Sequence, residues 1–263
     1  MRPGIRAPRL WVFDFDGTLS PIVADRTAAR LHPASRALLA DLAREPANRV
    51  AVLSTRAIED LPPRIPVPGV ILWGSSGLEW RLPDGRRVVP REATRRKLAE
   101  ARARILPSVG RLGAIRGVEI EDKGWSVAVH YRRVPADTMP GLVPLLDELA
   151  GFPGIRVYAG PMAAEVQFFP RVNKAFGVRR LCRLLAFAPG RWRLFYAGDD
   201  ENDAPAMRWV LAQKGTVFAV GNAVRVPGAL AVQGVSALAR AVRAQAGLEP
   251  PGRGGIRGEE VAG

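Results

Sequence analysis

The most informative stretch of this sequence is VFDFDGTLSPI, from Val12 to Ile22. An apolar run, Leu10–Phe13, ends in two carboxylates, Asp14 and Asp16, which one aromatic residue separates. Residues two apart in an extended segment point to the same side, so both carboxylates are predicted to share one space at the end of a buried strand. Paired acids in one place suit metal binding and acid–base or nucleophilic chemistry.

Length and composition indicate a soluble globular protein. The chain has 263 residues, 48% of them hydrophobic, and its mean hydropathy is +0.00, which allows one large domain or two small ones. The apolar runs are too short to cross a bilayer, and the run after Arg9 contains Asp14, unlike a secretory signal. We therefore expect a cytoplasmic protein without a membrane partner. Cys182 is the one cysteine, and its apolar neighbours favour a buried, unreactive thiol.

The net charge of +14 raises the alternative of a nucleic-acid-binding protein. Only four of the 39 basic residues are lysines, and the arginines are spread along the chain without a nucleic-acid motif. Compositional bias, with a positive field that attracts an anionic substrate, is the better explanation. We expect no nucleic-acid partner. The oligomeric state is open, with a monomer favoured.

The order of predicted elements divides the chain. Strands and helices alternate over residues 1–90 and 171–247, which predicts an α/β core assembled from both ends of the chain. Residues 91–170 read as helix, hairpin, helix, hairpin, which is typical of an inserted α+β module. Residues 248–263 are rich in glycine, proline and charge, which predicts a disordered tail.

Hydrophobic periodicity and turn residues place the individual elements. Pro144 argues against an uninterrupted helix in the region that contains it. The predicted strands are Leu10–Phe13, Arg49–Ser54, Val70–Trp73, Glu79–Leu82, Arg86–Val89, Val118–Glu121, Trp125–Arg132, Ile155–Tyr158, Ala164–Phe168, Trp192–Ala197 and Thr216–Val220. The predicted helices are Pro33–Arg44, Glu92–Leu106, Thr138–Ala150, Lys174–Ala186, Asp203–Val210 and Ser236–Ala246.

Four groups of polar residues follow predicted strands or begin predicted helices. In an open α/β sheet this is the edge where ligands bind. Each group has a structural alternative, such as a helix cap, a solvated lysine or an ordinary turn. Burying several carboxylates is costly without a cation, however, so together they predict a divalent metal site. The groups are Asp14 with Asp16; Ser54; Lys174; and the stretch GDDEND, which supplies Gly198, Asp199, Asp200 and Asp203.

The same four groups, in this order, resemble the haloacid dehalogenase superfamily, whose phosphatases use an aspartyl-phosphate mechanism. The segments DFDGTLSPI, LSTR, GSSGLEW, EDKGWSVAVHYR, EVQ and GDDEND are similar to the trehalose-6-phosphate phosphatase family, over about Leu10 to Val220. The implied fold is α/β, a Rossmann-like haloacid dehalogenase core with an inserted α+β cap domain of the type-2 kind. The implied role is the hydrolysis of a sugar phosphate in trehalose biosynthesis.

The resemblance implies a role for each catalytic candidate. Asp14 is the expected nucleophile. Asp16 is the expected acid that protonates the departing sugar oxygen and then the base that activates water. Ser54 is expected to donate a hydrogen bond to a phosphoryl oxygen, and Lys174 to offset charge on the phosphate and on Asp14.

The resemblance also implies Mg²⁺ as the cofactor. Its expected ligands are the Asp14 carboxylate, the backbone carbonyl of Asp16, and Asp199, which suits the preference of Mg²⁺ for oxygen ligands. Asp203, and Asp200 as an alternative, are expected to support the metal or to orient Lys174.

Sugar recognition is expected from residues of the inserted module. Their spacing alone favours a solvated hairpin face, and only the resemblance raises sugar binding above that interpretation. Carboxylates and lysines form strong charge-assisted hydrogen bonds with hydroxyls. The candidates are Glu121, Lys123, His130, Arg132 and Glu165.

Three residues depart from the family pattern, and the first two of them leave the sugar open. Thr55 stands where the family usually has glycine, Ser76 where it commonly has histidine, and Asn202 where it commonly has threonine. The leading interpretation is a phosphatase of trehalose 6-phosphate. The alternatives are a phosphatase of a related glucosylglycerol, sucrose or mannosylglycerate phosphate, and a catalytically silent phosphosugar sensor on the same fold.

Overall fold

The computed structural model describes residues 7–23, 25–160, 162–188 and 190–248. None of the helices in these ranges is long and apolar enough to cross a membrane. The strands are β1 (Arg9–Phe13), β2 (Asn48–Leu53), β3 (Val70–Gly74), β4 (Glu79–Arg81), β5 (Arg87–Val88), β6 (Glu119–Asp122), β7 (Ser126–His130), β8 (Arg156–Gly160), β9 (Ala163–Gln167), β10 (Arg193–Gly198), β11 (Thr216–Val220) and β12 (Leu230–Val232). The α-helices are α1 (Pro33–Arg44), α2 (Glu92–Gly113), α3 (Met139–Ala150), α4 (Lys174–Leu184), α5 (Ala204–Ala212) and α6 (Gly234–Ala246). Short 3-10 turns span Arg26–Ala28, Ile58–Asp60 and Ser75–Gly77.

The larger sheet has eight strands in the order β12-β11-β10-β1-β2-β3-β4-β5. The strands from β12 to β3 are parallel, and β4 and β5 form an antiparallel hairpin at one edge. Strand β1 lies inside the sheet because its run Leu10–Phe13 is apolar on both faces and is fully buried. Helices α1 and α6 cover one face, and α4 and α5 cover the other.

The smaller sheet is antiparallel, with the order β6-β7-β9-β8. Helices α2 and α3 cover one of its faces, and Val127, Val129 and Val166 join them in a hydrophobic cluster separate from those of the larger sheet. Alternate residues point to the opposite face. There Glu121 and Glu165 lie in one cross-strand row, on either side of Ala128. This face is turned toward the larger sheet.

The predicted α/β class is confirmed, and most predicted elements differ from the observed ones only at their ends. Helix α2 does not end at Leu106, as predicted, but continues through Pro107 to Gly113. An interior proline costs about 3 kcal/mol, and the burial of Val109 and Leu112 beyond it offsets that cost. Pro144 likewise lies inside α3.

Two further details differ from the predictions. The strand predicted to reach Arg132 ends at His130, so Arg132 is exposed in the following turn. The three-residue strand β12 was not predicted, because it is too short to show a period. Of the predicted tail, residues 249–263 lie outside the described residues, and Leu248 packs against the cluster under α1 and α6.

A contact between two glycines fixes helix α4 against the end of β3. Gly77 has a φ of +99°, and a Cβ atom there would lie 2.4 Å from the Cα of Gly177 on α4. Gly77 ends the turn Ser75–Gly77, whose two serines also have positive φ, at 51° and 54°. Because α4 begins at Lys174, this contact helps to set the position of that lysine.

We expect Gly77→Ala to lower the free energy of unfolding by about 2–4 kcal/mol, since it adds a methyl group at a positive φ and against backbone. Gly85→Ala is the matched control, because Gly85 has a φ of +85° and open space around it. That control should cost only about 1 kcal/mol. Urea unfolding measures both values, and equal losses would show that the close approach to α4 is unimportant.

Candidate active site

The carboxyl ends of three adjacent strands bring the predicted catalytic residues together. Asp14 follows β1, Ser54 follows β2 and Asp199 follows β10, and these strands are neighbours in the sheet. Lys174 is the first residue of α4, where Asn173 caps the helix by accepting a hydrogen bond from the Phe176 N–H at 2.9 Å. The sequence-predicted convergence on one sheet edge is therefore observed for these groups.

Lys174 lies between two carboxylates in the protein interior. Its Nζ is 2.7 Å from Asp14 Oδ1 and 2.6 Å from Asp203 Oδ1. The lysine side chain is 2% exposed. Burial opposes its charge, but the two carboxylates more than compensate and raise the pKa of Lys174 above its ordinary value. The ammonium is therefore held charged.

The carboxylate of Asp203 is saturated with hydrogen bonds. Its Oδ1 accepts from Lys174 Nζ and, at 2.5 Å, from the Tyr196 hydroxyl. Its Oδ2 accepts from the backbone N–H groups of Asp199 and Asp200, both at 3.2 Å. Four donors use the capacity of a carboxylate, so Asp203 orients Lys174 and the 199–200 backbone. Tyr196 was missed in the sequence, where it appears as one more apolar residue of a buried strand.

Asp14, Asp199 and Asp203 form the one group of three or more acids among the described residues whose oxygens all lie within 4.8 Å of one another. Burial is the largest cause that raises the pKa of Asp14, and Asp203 and Asp199 add to it against Lys174. Burial and Asp203 raise the pKa of Asp199 to about 6. Ionised carboxylates so close together favour a cation among them. Asp14 and Asp199 can supply oxygens to a divalent metal ion.

Asp200 is a poorer metal candidate. It is exposed, and its two oxygens accept from the Glu201 N–H at 2.6 Å and the Asn202 side-chain amide at 3.0 Å. A groove of about 540 Å³ reaches Asp199 between the loop at Pro21 and the start of α6.

The side chain of Asp16 lies apart from this acidic group and binds Arg56. The guanidinium makes a two-point contact, with Nε 2.8 Å from Asp16 Oδ2 and Nη2 2.7 Å from Oδ1. Arg56 is buried and also donates to Asp60 Oδ2 at 2.5 Å. Burial opposes the charge of Arg56, and these carboxylates raise its pKa despite it. Arg56 was missed as a site residue, although it ends the LSTR motif.

Ser54 is buried beside Arg56. Its Oγ accepts a hydrogen bond from the Arg56 backbone N–H at 3.1 Å, as hydroxyls do in tight turns. The contact fixes the position of Oγ while its own O–H remains a donor for a ligand.

Four of the five sugar-binding candidates lie on the face of the smaller sheet that is turned toward this edge. Lys123 Nζ and Ser126 Oγ each donate to Glu165 at 2.5 Å, to separate oxygens. His130 Nε2 lies 3.1 Å from Glu121 Oε2. Arg132 is not brought together with them.

A cavity of about 20 Å³, the size of one water molecule, lies between the two sheets. Two of its lining residues, Ser75 and Gln167, each have a buried side-chain oxygen, Oγ and Oε1, without a hydrogen-bond partner among the described residues. Thr55 and Glu165 also line it, together with apolar residues such as Leu78 and Trp125. The gap between the sheets therefore has hydrogen-bonding capacity to spare.

The acids lie at the carboxyl edge of a parallel sheet, and a second sheet faces them. Solved structures with a similar fold identify the class. A solved haloacid dehalogenase-like hydrolase from Bacteroides thetaiotaomicron matches with a TM-score of 0.65 and 14% identity, over 90% of this chain and 99% of that one. A trehalose-6-phosphate phosphatase related protein matches with a TM-score of 0.72 and 21% identity, over 90% of this chain and 96% of that one. These structures show a haloacid dehalogenase-like fold.

The sequence narrows the assignment further. The family model described as Trehalose-phosphatase matches residues 12–236, and this chain belongs to that family. A trehalose-phosphate phosphatase of Mycobacterium avium is 38% identical over 157 residues, which are 59% of this chain and 39% of the relative. This chain thus matches about two fifths of the length of that relative. The resemblance seen in the sequence is confirmed.

We expect Lys174→Met to lower the free energy of unfolding by about 3–5 kcal/mol, because it leaves buried carboxylates without their cation. Lys97→Met removes an exposed lysine of α2 and is the matched control. Urea unfolding at neutral pH without divalent metal measures both. A loss as small as that of the control would contradict the central place of Lys174 in the site.

Proposed function

We propose that this protein is a Mg²⁺-dependent phosphatase that hydrolyses trehalose 6-phosphate to trehalose and phosphate through an aspartyl-phosphate intermediate. The observation that carries the proposal is the buried contact of Asp14 with Lys174 beside Asp199, at the edge that faces Glu121 and Glu165. Membership of the trehalose-phosphatase family and the similarity to a trehalose-phosphate phosphatase of Mycobacterium avium support it.

Asp14 is the proposed nucleophile. One of its carboxylate oxygens attacks phosphorus, the bond between phosphorus and the sugar oxygen breaks, and Asp16 gives a proton to that oxygen. Asp16 then takes a proton from water, the resulting hydroxide attacks phosphorus, and the bond to Asp14 breaks. In the structure the Asp16 carboxylate is held by the Arg56 guanidinium, at 2.7 and 2.8 Å.

Lys174 and Ser54 serve the phosphoryl group. The barrier to phosphoryl transfer falls mainly through positioning and through neutralised oxygen charge. Lys174 already contacts Asp14, so its ammonium lies beside the reacting centre, and the Ser54 hydroxyl can donate to a phosphoryl oxygen.

Asp14, Asp199 and the backbone carbonyl of Asp16 are the proposed ligands of Mg²⁺. The fit rests on the close acidic group and on the raised pKa of Asp14 and Asp199. When bound, Mg²⁺ supplies positive charge that offsets the phosphoryl oxygens. Asp203 belongs to the same acidic group, but its carboxylate binds and orients Lys174.

The smaller sheet with α2 and α3 is the proposed cap domain, residues 91–170, over a core of residues 1–90 and 171–247. Glu121, Lys123, His130 and Glu165 are the proposed sugar-binding residues, since their charged groups can bond hydroxyls. We also propose a cytoplasmic location.

A phosphate-release panel tests the function. With Mg²⁺, kcat/KM for trehalose 6-phosphate should exceed the values for glucose 6-phosphate, sucrose 6-phosphate and glucosylglycerol phosphate. Asp14→Asn should abolish release from every substrate while circular dichroism shows a retained fold. Equal rates across the panel would refute the proposed sugar, and full activity of Asp14→Asn would refute the nucleophile.

Mg²⁺ binding should weaken as the pH falls. Below about pH 6 a proton occupies Asp199, and Mg²⁺ must displace it. We therefore expect Mg²⁺ to raise the Tm of the wild-type protein at pH 8, and the rise to shrink as the pH falls through 6. Asp199→Asn should lose the response, and Asp200→Asn, the matched control, should keep it. A rise that stays constant between pH 8 and 5 would contradict Asp199 as a ligand.

A further inference from the structure

Arg26 makes two contacts in opposite directions. It begins the 3-10 turn Arg26–Ala28 in the loop between β1 and α1. Its side-chain Nη1 donates to Glu121 Oε2 on the smaller sheet at 2.9 Å. Its backbone carbonyl accepts from Nη2 of Arg56, in the loop after β2 of the larger sheet, at 2.8 Å. One residue therefore contacts both halves of the candidate site.

The contact with Arg56 leads to the proton-transfer carboxylate. The same Nη2 atom that donates to the Arg26 carbonyl also donates to Asp16 Oδ1. The Arg56 side chain is 4% exposed and is held from its other side by Asp60. A buried guanidinium with little freedom therefore joins the Arg26 backbone to the Asp16 carboxylate.

The contact with Glu121 leaves one carboxylate oxygen available. Arg26 Nη1 and His130 Nε2 both contact Oε2. Oε1 has no hydrogen-bond donor within the part of the chain that the structure describes. Burial opposes the charge of Glu121, but Lys123, Arg26 and His130 lower its pKa below the ordinary value. Glu121 is thus held ionised, with one oxygen ready to accept from a hydroxyl.

We propose that Arg26, in the loop between β1 and α1, is a positioning residue that sets the orientation of Glu121 toward a substrate sugar hydroxyl. Through Arg56 it also couples that contact to Asp16. The inference rests on the proposed function and deepens it. It makes Arg26 a determinant of the preference for sugar phosphates over small phosphate esters. An ester without a sugar makes no contact with Glu121 and gains nothing from Arg26.

The competing interpretation is a surface ion pair without a role in the reaction. The side chains of Arg26 and Glu121 are 34% and 40% exposed, and pairs of this kind add little to stability. A substitution of Arg26 should therefore leave the protein folded, and its effect on kinetics can be measured directly.

Arg26→Met tests the proposal, because it removes the ion pair and keeps the backbone carbonyl. We expect about a fivefold fall in kcat/KM for the best sugar phosphate of the panel, mostly through KM. The rate with p-nitrophenyl phosphate should be unchanged. Arg133→Met is the matched control. Arg133 pairs at 2.7 Å with Glu119, which lies on β6 like Glu121, but this ion pair does not reach the larger sheet. That control should change neither rate.

A double-mutant cycle separates action through Glu121 from a general effect. In a Glu121→Gln background, Arg26→Met should cause little further loss. Independent losses in the two single variants, or equal falls with the sugar phosphate and the aryl phosphate, would overturn the proposal.

Hydrogen exchange of the substrate-free protein gives a test that does not depend on the proposed function. Arg26→Met should speed exchange both in the loop 25–32 and in β6, whereas Arg133→Met should affect β6 at most. If no sugar phosphate is preferred in the panel, the proposed function fails while this measurement still decides whether Arg26 links the sheets. Exchange equal to that of the wild-type protein in both segments would overturn the link.

Discussion

The ammonium of Lys174 between Asp14 and Asp203 is the interaction on which the rest of the site depends. Three carboxylates meet at the end of a buried sheet, where each ionised group raises the cost of the others. One cation inside the group makes the arrangement tolerable and keeps Asp14 next to positive charge. The cap at Asn173 and the glycine contact behind α4 hold that cation in place. The close packing of the α4 backbone against the turn Ser75–Gly77 thus helps to hold the Lys174 ammonium beside the two carboxylates.

Two tasks are separated in space. The carboxyl edge of the larger sheet holds the acids, the lysine and the serine that suit phosphoryl transfer. The facing row of the smaller sheet holds carboxylates and a lysine that suit hydroxyl groups. The cavity between the sheets is lined by polar side chains, such as Ser75 and Gln167, and by apolar ones, such as Leu78 and Trp125. Water or a ligand can satisfy the buried oxygens of Ser75 and Gln167.

The sequence predicted the sheet edge well because strand ends are local features. Asp14, Ser54 and Asp199 each follow an apolar run, and parallel strands bring such ends together. The partners of these residues were harder to find. Arg56 reaches Asp16 across 40 positions of the chain, and Tyr196 reaches Asp203 from within an apolar strand, so neither pairing has a periodic signature. Arg132 was wrongly predicted to lie on a strand. The alternating spacing continues in the sequence past His130, where strand pairing stops. Helix α2 passes Pro107 because tertiary burial overrides a local breaker.

The separate hydrophobic cluster under the smaller sheet has a consequence for how the sequence can change in evolution. Most of its apolar residues belong to α2, α3 and the strands of the smaller sheet, and among the described residues they form no common core with the larger sheet. Distant sites without shared partners contribute to stability almost additively. Substitutions within the smaller sheet and its two helices therefore place little burden on the strands that carry Asp14 and Asp199. The residues that face the acids can change in this architecture while the acids themselves stay in place.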